Sequence, residues 1–298
     1  MRSPRAFSSG TIGVFAPSSP FPEDRFAVGC AALESMGFRV KVPPAARASR
    51  GYLAGEDAHR LAAFQALLED PEVDVLMAAR GGYGLHRIID QIDPERVARA
   101  AKPIVGFSDI TALHLLCQKA GFSTIHGPVI TQLGELPEEA KSALGLALAG
   151  RSSELVYRAS GPSIQPGTAR GPLIGGCLSV IAPLVGTPFL PSFDGAILLL
   201  EDVGEATYRI DRLLTHLHLA GVFRAVAGIA LGEFIGCEPR RPEEQSLTEV
   251  FADRFLDLPV PVLSGLPFGH GRNNLAVPLG ATVVLDADAQ TLRVEAQP

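Results

Sequence analysis

Short apolar runs that alternate with helix-spaced segments constrain this chain more than any other feature. Residues 11–16, 38–42, 73–78 and 103–105 are such runs, and helical spacing covers 23–36, 59–69 and 110–120. Apolar runs of this length suit strands buried on both faces, and their alternation with helices implies a parallel sheet. After residue 172 the pattern resumes: helical character at 174–184, a strand at 196–200, and a helix at 206–220 with Ile210, Leu213, Leu214 and Leu217 on one face. A strand at 226–231, the helix Leu247–Phe255, a strand at 260–263 and a closing hairpin from 282–285 and 292–295 complete it. Between the two halves, Arg151-Ser152-Ser153 and the run from Ser160 to Gly167 carry little periodicity. The expectation is an α/β protein of two domains. An N-terminal parallel-sheet domain spans 1–150, a linker 151–171, and a C-terminal α/β, β-rich domain 172–298. A length of 298 residues accommodates two units of ~100 to 200 residues.

With 47% hydrophobic and 19% charged residues, the chain can bury a full core. A net charge of −6 with scattered Lys and Arg argues against nucleic acid as a partner. Cys30, Cys117, Cys177 and Cys237 are far apart and lack CxxC spacing, as expected of free thiols in a reducing compartment. The apolar run at 11–16 is too short for a secretory signal, and residues 196–200 meet Glu201 and Asp202 long before a bilayer is crossed. A cytoplasmic location with no membrane contact is therefore expected.

Two glycine-flanked positions frame the chemistry. In Gly106-Phe107-Ser108-Asp109, Ser108 sits where an apolar run opens into a helix pattern. Such a serine serves either as a helix cap or as a nucleophile on a tight turn, and the second glycine of G-x-S-x-G is absent. In Gly269-His270-Gly271, His270 has no apolar helix to pack into, unlike His59, His86 and His114, which suits a base. Glu201 ends a strand, where a carboxylate reaches a site or simply meets solvent. Gly81-Gly82-Tyr83-Gly84 fails the dinucleotide fingerprint, because a third glycine is replaced by Arg87, and no Walker lysine follows. Its remaining role is a close-approach turn with exposed amides, and it is expected to share a rim with Ser108. The rings of His216 and His218 point to different sides of a helix, so neither a metal nor another cofactor is expected.

Five motifs together, Gly13-Val14-Phe15-Ala16-Pro17-Ser18-Ser19, Ala79-Arg80-Gly81-Gly82-Tyr83-Gly84, Gly106-Phe107-Ser108-Asp109, Leu199-Leu200-Glu201-Asp202 and Pro267-Phe268-Gly269-His270-Gly271, resemble the LD-carboxypeptidases, serine peptidase family S66. The match runs in order across nearly the whole chain. The resemblance implies a Ser-Glu-His triad matching Ser108, Glu201 and His270, a homodimer, and an active site at the domain interface. It also implies hydrolysis of the bond before the terminal D-alanine of cytoplasmic murein tetrapeptides. A related branch, similar to a self-immunity peptidase for a peptidyl-nucleotide antibiotic, shares the triad. The amides of Asp109 and Gly82 are the expected oxyanion donors. Arg80 or Arg272 is expected to receive the substrate carboxylate, beside Gly81 and Tyr83. A non-catalytic two-domain ligand-binding protein is the alternative from a different class.

Overall fold

Strands buried on both faces form the centre of each of two sheets in a computed structural model that describes residues 1–296. The first half of the chain runs β1 (Gly10–Phe15), α1 (Glu23–Ser35), β2 (Phe38–Lys41), α2 (Asp57–Glu69), β3 (Val75–Ala78), α3 (Pro94–Ala100), β4 (Ile104–Gly106), α4 (Thr111–Lys119), β5 (Thr124–His126), α5 (Ile130–Leu133) and α6 (Glu138–Leu148). The second half runs β6 (Val156–Arg158), β7 (Ser163–Gln165), β8 (Thr168–Cys177), α7 (Leu178–Ile181), β9 (Ile197–Val203), α8 (Thr207–Leu219), β10 (Gly228–Ile235), α9 (Leu247–Phe255), β11 (Val262–Leu263), β12 (Val277–Leu279), β13 (Thr282–Asp286) and β14 (Thr291–Val294).

The first sheet has the order β12-β5-β4-β3-β1-β2, parallel except for β12. All of β3, β4 and β5 is buried, and only Gly10 of β1 is partly open, as the unbroken apolar runs require. The strand order reverses between β1 and β3, so the loops leaving these strands diverge and open a crevice beyond their carboxyl ends. The second sheet has the order β6-β14-β13-β8-β9-β10-β11-β7. Its centre, β8 to β11, is parallel, and antiparallel strands flank it. The two-domain α/β reading therefore holds, and the closing hairpin forms as β13 and β14.

Two expectations need correction. Residues 174–184 are not helical throughout, because Ile174 to Cys177 extend β8 alongside Leu198 to Glu201 of β9, and the helix begins only at Leu178. An apolar run satisfies either element, and pairing with β9 decides for the strand. Residues 151–171, expected to be a linker, contain β6, β7 and the first part of β8. Tyr157 of β6 is fully buried, packs on Phe268 at a ring distance of 5.0 Å, and donates its hydroxyl to the Ala276 carbonyl at 2.8 Å. The lack of periodicity reflects edge strands of three residues, too short to show an alternating pattern. The chain also returns from the second half to the first, since β12 pairs with β5 in the first sheet.

Tyr157→Ala is expected to lower the unfolding free energy by about 3–5 kcal/mol, the cost of emptying a buried aromatic site. Urea unfolding measures it. A change below about 0.5 kcal/mol, as at a surface position, would return this segment to the status of a linker.

Candidate active site

Ser108 follows β4 with φ of +63°, a left-handed conformation unusual for a residue with a side chain. A 3₁₀ turn, Ser108–Ile110, then leads directly into α4. Neither Ser108 nor Asp109 caps the helix by its side chain. The turn is a strained elbow that lifts the serine hydroxyl out of the strand end. The missing second glycine is explained by packing: Ile110 lies over the bare α-carbon of Gly106, where a Cβ would come within 2.8 Å of Ile110 Cγ1.

Glu201 lies near the end of β9 and His270 follows β11, so both come from the second sheet. His270 Nδ1 is 2.7 Å from Glu201 Oε2, and His270 Nε2 is 3.2 Å from Ser108 Oγ. With Glu201 accepting from Nδ1–H, Nε2 is left as acceptor for the serine hydroxyl. Glu201 has no exposed surface, and burial pushes its carboxyl above the usual range while the His270 bond pulls it back. Gly269 permits the approach: it has φ of +104°, and a Cβ there would collide with the Glu201 carboxylate. The loop is held further by Asn274, buried at φ +25°, which accepts from Gly269 N at 3.0 Å and donates to Gln132 Oε1 at 2.8 Å.

Asp109 is 1% exposed and joins three loops. Its carboxylate accepts from Ser18 Oγ at 2.5 Å and from Leu85 N at 2.9 Å, drawing the loops after β1 and β3 onto the elbow. Arg60 of α2 adds a second tie by donating to the carbonyls of Pro17 and Gly84. Gly81 thereby lies against the Ser108 side chain. The first bond of the elbow's turn runs from Ile110 N to Phe107 O, at 3.2 Å, so the Asp109 amide precedes it and stays available. No protein acceptor among the described residues takes the Gly82 amide.

A cavity of about 450 Å³ opens over Ser108 and His270, with Arg80, Gly81, Gly82, Thr131 and Gln132 in its walls from the first domain. Cys177, Ser179 and Asp202 line it from the second. Asp202 is held by Ser179 N, Ser179 Oγ and Val203 N at 2.8, 3.0 and 2.9 Å, which fixes the start of α7 at the cavity wall. Arg80 is exposed and donates one bond, to Pro20 O at 2.8 Å. Arg272 is exposed and absent from the cavity walls, and Tyr83 lines an adjoining compartment instead. Among the described residues no group of three His, Cys, Asp or Glu side chains is placed to hold a metal ion, and no helix is long and apolar enough to cross a membrane.

Sequence reasoning missed Gln132, Asn274, Ser179 and the bridging role of Asp109. Asn274 stood in plain view beside the His270 loop, but its partner Gln132 lies 142 positions away. Behind the site, Phe107 packs between His270 and His126, with ring distances of 4.7 and 6.0 Å. His114 is also fully buried, with Nε2 donating to Gly106 O at 2.8 Å.

A serine, histidine and buried carboxylate aligned across two α/β domains define the arrangement of a serine-type hydrolase. Comparison with known proteins gives the family. Residues 12–127 match the LD-carboxypeptidase N-terminal domain and residues 170–285 the LD-carboxypeptidase C-terminal domain. The murein tetrapeptide carboxypeptidase of Pseudomonas aeruginosa is 34% identical, over 94% of each chain. The crystal structure of muramoyltetrapeptide carboxypeptidase from Oxalobacter formigenes superposes with a TM-score of 0.86 at 26% identity, covering 95% of this chain and 97% of that one. The microcin C7 self-immunity protein MccF of Escherichia coli is 27% identical over 96% of this chain and 93% of its own. The chain belongs to the LD-carboxypeptidase family and is a peptidase.

Burial lowers the His114 imidazole from 6.5 to about 4, and His126 is lowered as well. A depressed folded-state value means that the unfolded chain binds the proton more tightly, so stability present above pH 6.5 drains away as pH falls toward 4. For His114 the loss is at most about 3 kcal/mol. In His114→Gln, urea unfolding across this range is expected to depend less steeply on pH, by up to one proton. An unchanged slope would show that His114 does not titrate on unfolding.

Proposed function

We propose that this protein is a serine LD-carboxypeptidase that releases the terminal D-alanine from murein tetrapeptides, acting in the cytoplasm as a homodimer. The observation that carries the reading is the continuous Ser108–His270–Glu201 hydrogen-bonded line, assembled from both domains at the floor of one cavity. Similarity to the Pseudomonas aeruginosa enzyme supports the substrate class.

In the proposed reaction, Ser108 Oγ attacks the carbonyl preceding D-alanine and passes its proton to His270 Nε2. Glu201 holds the ring through Nδ1–H and stabilises the imidazolium. The amides of Asp109 and Gly82 receive the developing oxyanion. Protonated His270 gives its proton to the leaving nitrogen as the C–N bond breaks, D-alanine departs, and the acyl group remains on Ser108. His270 then takes a proton from water, whose oxygen attacks the ester carbonyl; as the bond to Ser108 Oγ breaks, His270 returns that proton to Oγ and the tripeptide leaves as its carboxylate. Arg80 is the proposed receptor for the free carboxylate, since of the two candidate arginines it is the one that lines the cavity.

The murein reading is preferred to hydrolysis of a peptidyl-nucleotide because identity to the murein enzyme exceeds that to MccF, and because the chain has no Trp for stacking a base. The deciding experiment incubates the pure protein with tetrapeptides bearing lysine or diaminopimelate and identifies products by mass. Release of D-alanine is expected, and its absence from both would refute the assignment. Ser108→Ala is expected to lower kcat at least about a thousandfold while keeping the unfolding midpoint, whereas a mere binding protein shows no turnover to lose. Arg80→Ala is expected to raise KM about 10- to 100-fold with little change in kcat, and the unmodified enzyme is expected to discriminate similarly against a C-terminal amide. Equal KM for Arg80→Ala and the native chain would place the carboxylate elsewhere.

A further inference from the structure

The Gly269-His270-Gly271 motif holds two glycines, and Glu201 explains the first of them. Gly271 lies outside the left-handed region, so its conformation does not call for glycine. Space does. A Cβ at Gly271 would fall on the carboxylate of Glu233, whose Cδ and two oxygens would be its three nearest neighbours. Each glycine beside His270 therefore makes room for a carboxylate, one from β9 and one from β10.

The backbone brings Glu233 to this place. The ladder between β9 and β10 shifts register between Leu231 and Phe234, and such irregularities re-aim the side chains they contain. Glu233 bridges in parallel to Gly269 and donates its amide to the Phe268 carbonyl at 3.0 Å, which fixes it along the His270 loop. Its side chain is half-buried, with Oε2 shielded from water and without a hydrogen-bond partner among the described residues. Burial and repulsion from Glu201 push its carboxyl above the usual range. Of the other charged groups on the neighbouring strands and the loop, Asp202 is taken up by Ser179 and Val203, and Arg272 is exposed, while β11 carries no charge. Glutamine at this position would avoid the cost of a carboxylate, and a costly charge kept beside a base points to a use in the reaction.

We propose that Glu233 is a positioning residue for the reaction, whose charge stabilises through space the imidazolium formed when His270 takes the Ser108 proton, and whose contact with Gly271 holds the loop where Glu201 does not reach. The inference rests on His270 being the base, as in the reading above. Glu233 does not line the cavity over Ser108, so it acts without touching substrate. The two carboxylates divide the work. Glu201 binds a ring nitrogen and sets the tautomer, whereas Glu233 adds a second negative charge without a bond to the ring.

The test follows the titration of the His270 imidazole by NMR, assigned by its loss in His270→Gln, and needs no substrate. In Glu233→Gln, His270 is expected to titrate about 0.5 to 1 pH unit lower than in the native protein. Glu233→Asp keeps the charge and is expected to show less than half that shift. With tetrapeptide as substrate, the acidic limb of kcat/KM in Glu233→Gln is expected to move down by the same amount, and kcat to fall about three- to tenfold while KM holds. An unchanged His270 titration in Glu233→Gln, or an equal fall in the Gln and Asp variants, would overturn the proposal and leave Glu233 as packing for the loop. If the native protein releases no D-alanine, the murein reading fails, and the titration still decides whether Glu233 acts on His270.

Discussion

The bond from His270 to Glu201 is the interaction on which the arrangement of this molecule depends. A carboxylate without exposed surface near the end of a central parallel strand is costly to ionise, and hydrogen bonds from His270, ring and backbone, offset part of that cost. To bring that nitrogen in, the loop after β11 must pass so close that only glycine fits at position 269. The loop must then be held, which Asn274 does by linking Gly269 to Gln132 in the first domain. One buried charge therefore dictates a backbone conformation, a loop path and a contact between domains.

The first domain solves a complementary problem. Its serine must stand clear of the strand end with free amides beside it, which demands a strained φ at Ser108 and a glycine turn pressed against it. Asp109 offsets the strain through its bonds to Ser18 and Leu85, gathering the loops after β1, β3 and β4 at the reversal of strand order. The second domain repeats the device at Asp202, which fixes the start of α7 against the same cavity. Rigid carboxylate hubs on both sides leave the nucleophile and its base to be matched by domain packing, with α4 contributing Thr111 Oγ1 to Cys177 N and Gln118 Nε2 to Leu173 O across the boundary.

Much of the fold was legible in the chain. The apolar runs at 11–16, 38–42 and 226–231 and the helices around 23–36, 59–69 and 206–220 agree with the observed elements to within a few residues, because burial on one or both faces imposes its own period. The failures share a cause. The run at 174–184 was compatible with helix and strand alike, and a neighbour more than twenty residues away, β9, chose between them. Residues 151–171 seemed irregular because strands of three residues at a sheet edge carry almost no periodic signal, although Tyr157 among them is wholly buried. For Ser108, the local residues favoured a helix cap over a nucleophile, and the backbone angle and the position of His270 decide against the cap.

The sequence by itself determined the alternation of buried strands and amphipathic helices, the glycines that allow close approach, and the five ordered motifs that carry the family. These are local or composition-borne properties, set by side-chain polarity, size and spacing along the chain. Tertiary structure alone decided that Asp109 is a hub and not a cap, that Asn274 and Gln132 meet, and that Arg80 lies inside the cleft while Arg272 lies outside. Each of these depends on contacts between residues tens to more than a hundred positions apart, whose distance in space is fixed by sheet order and domain packing and leaves no periodic trace in the chain.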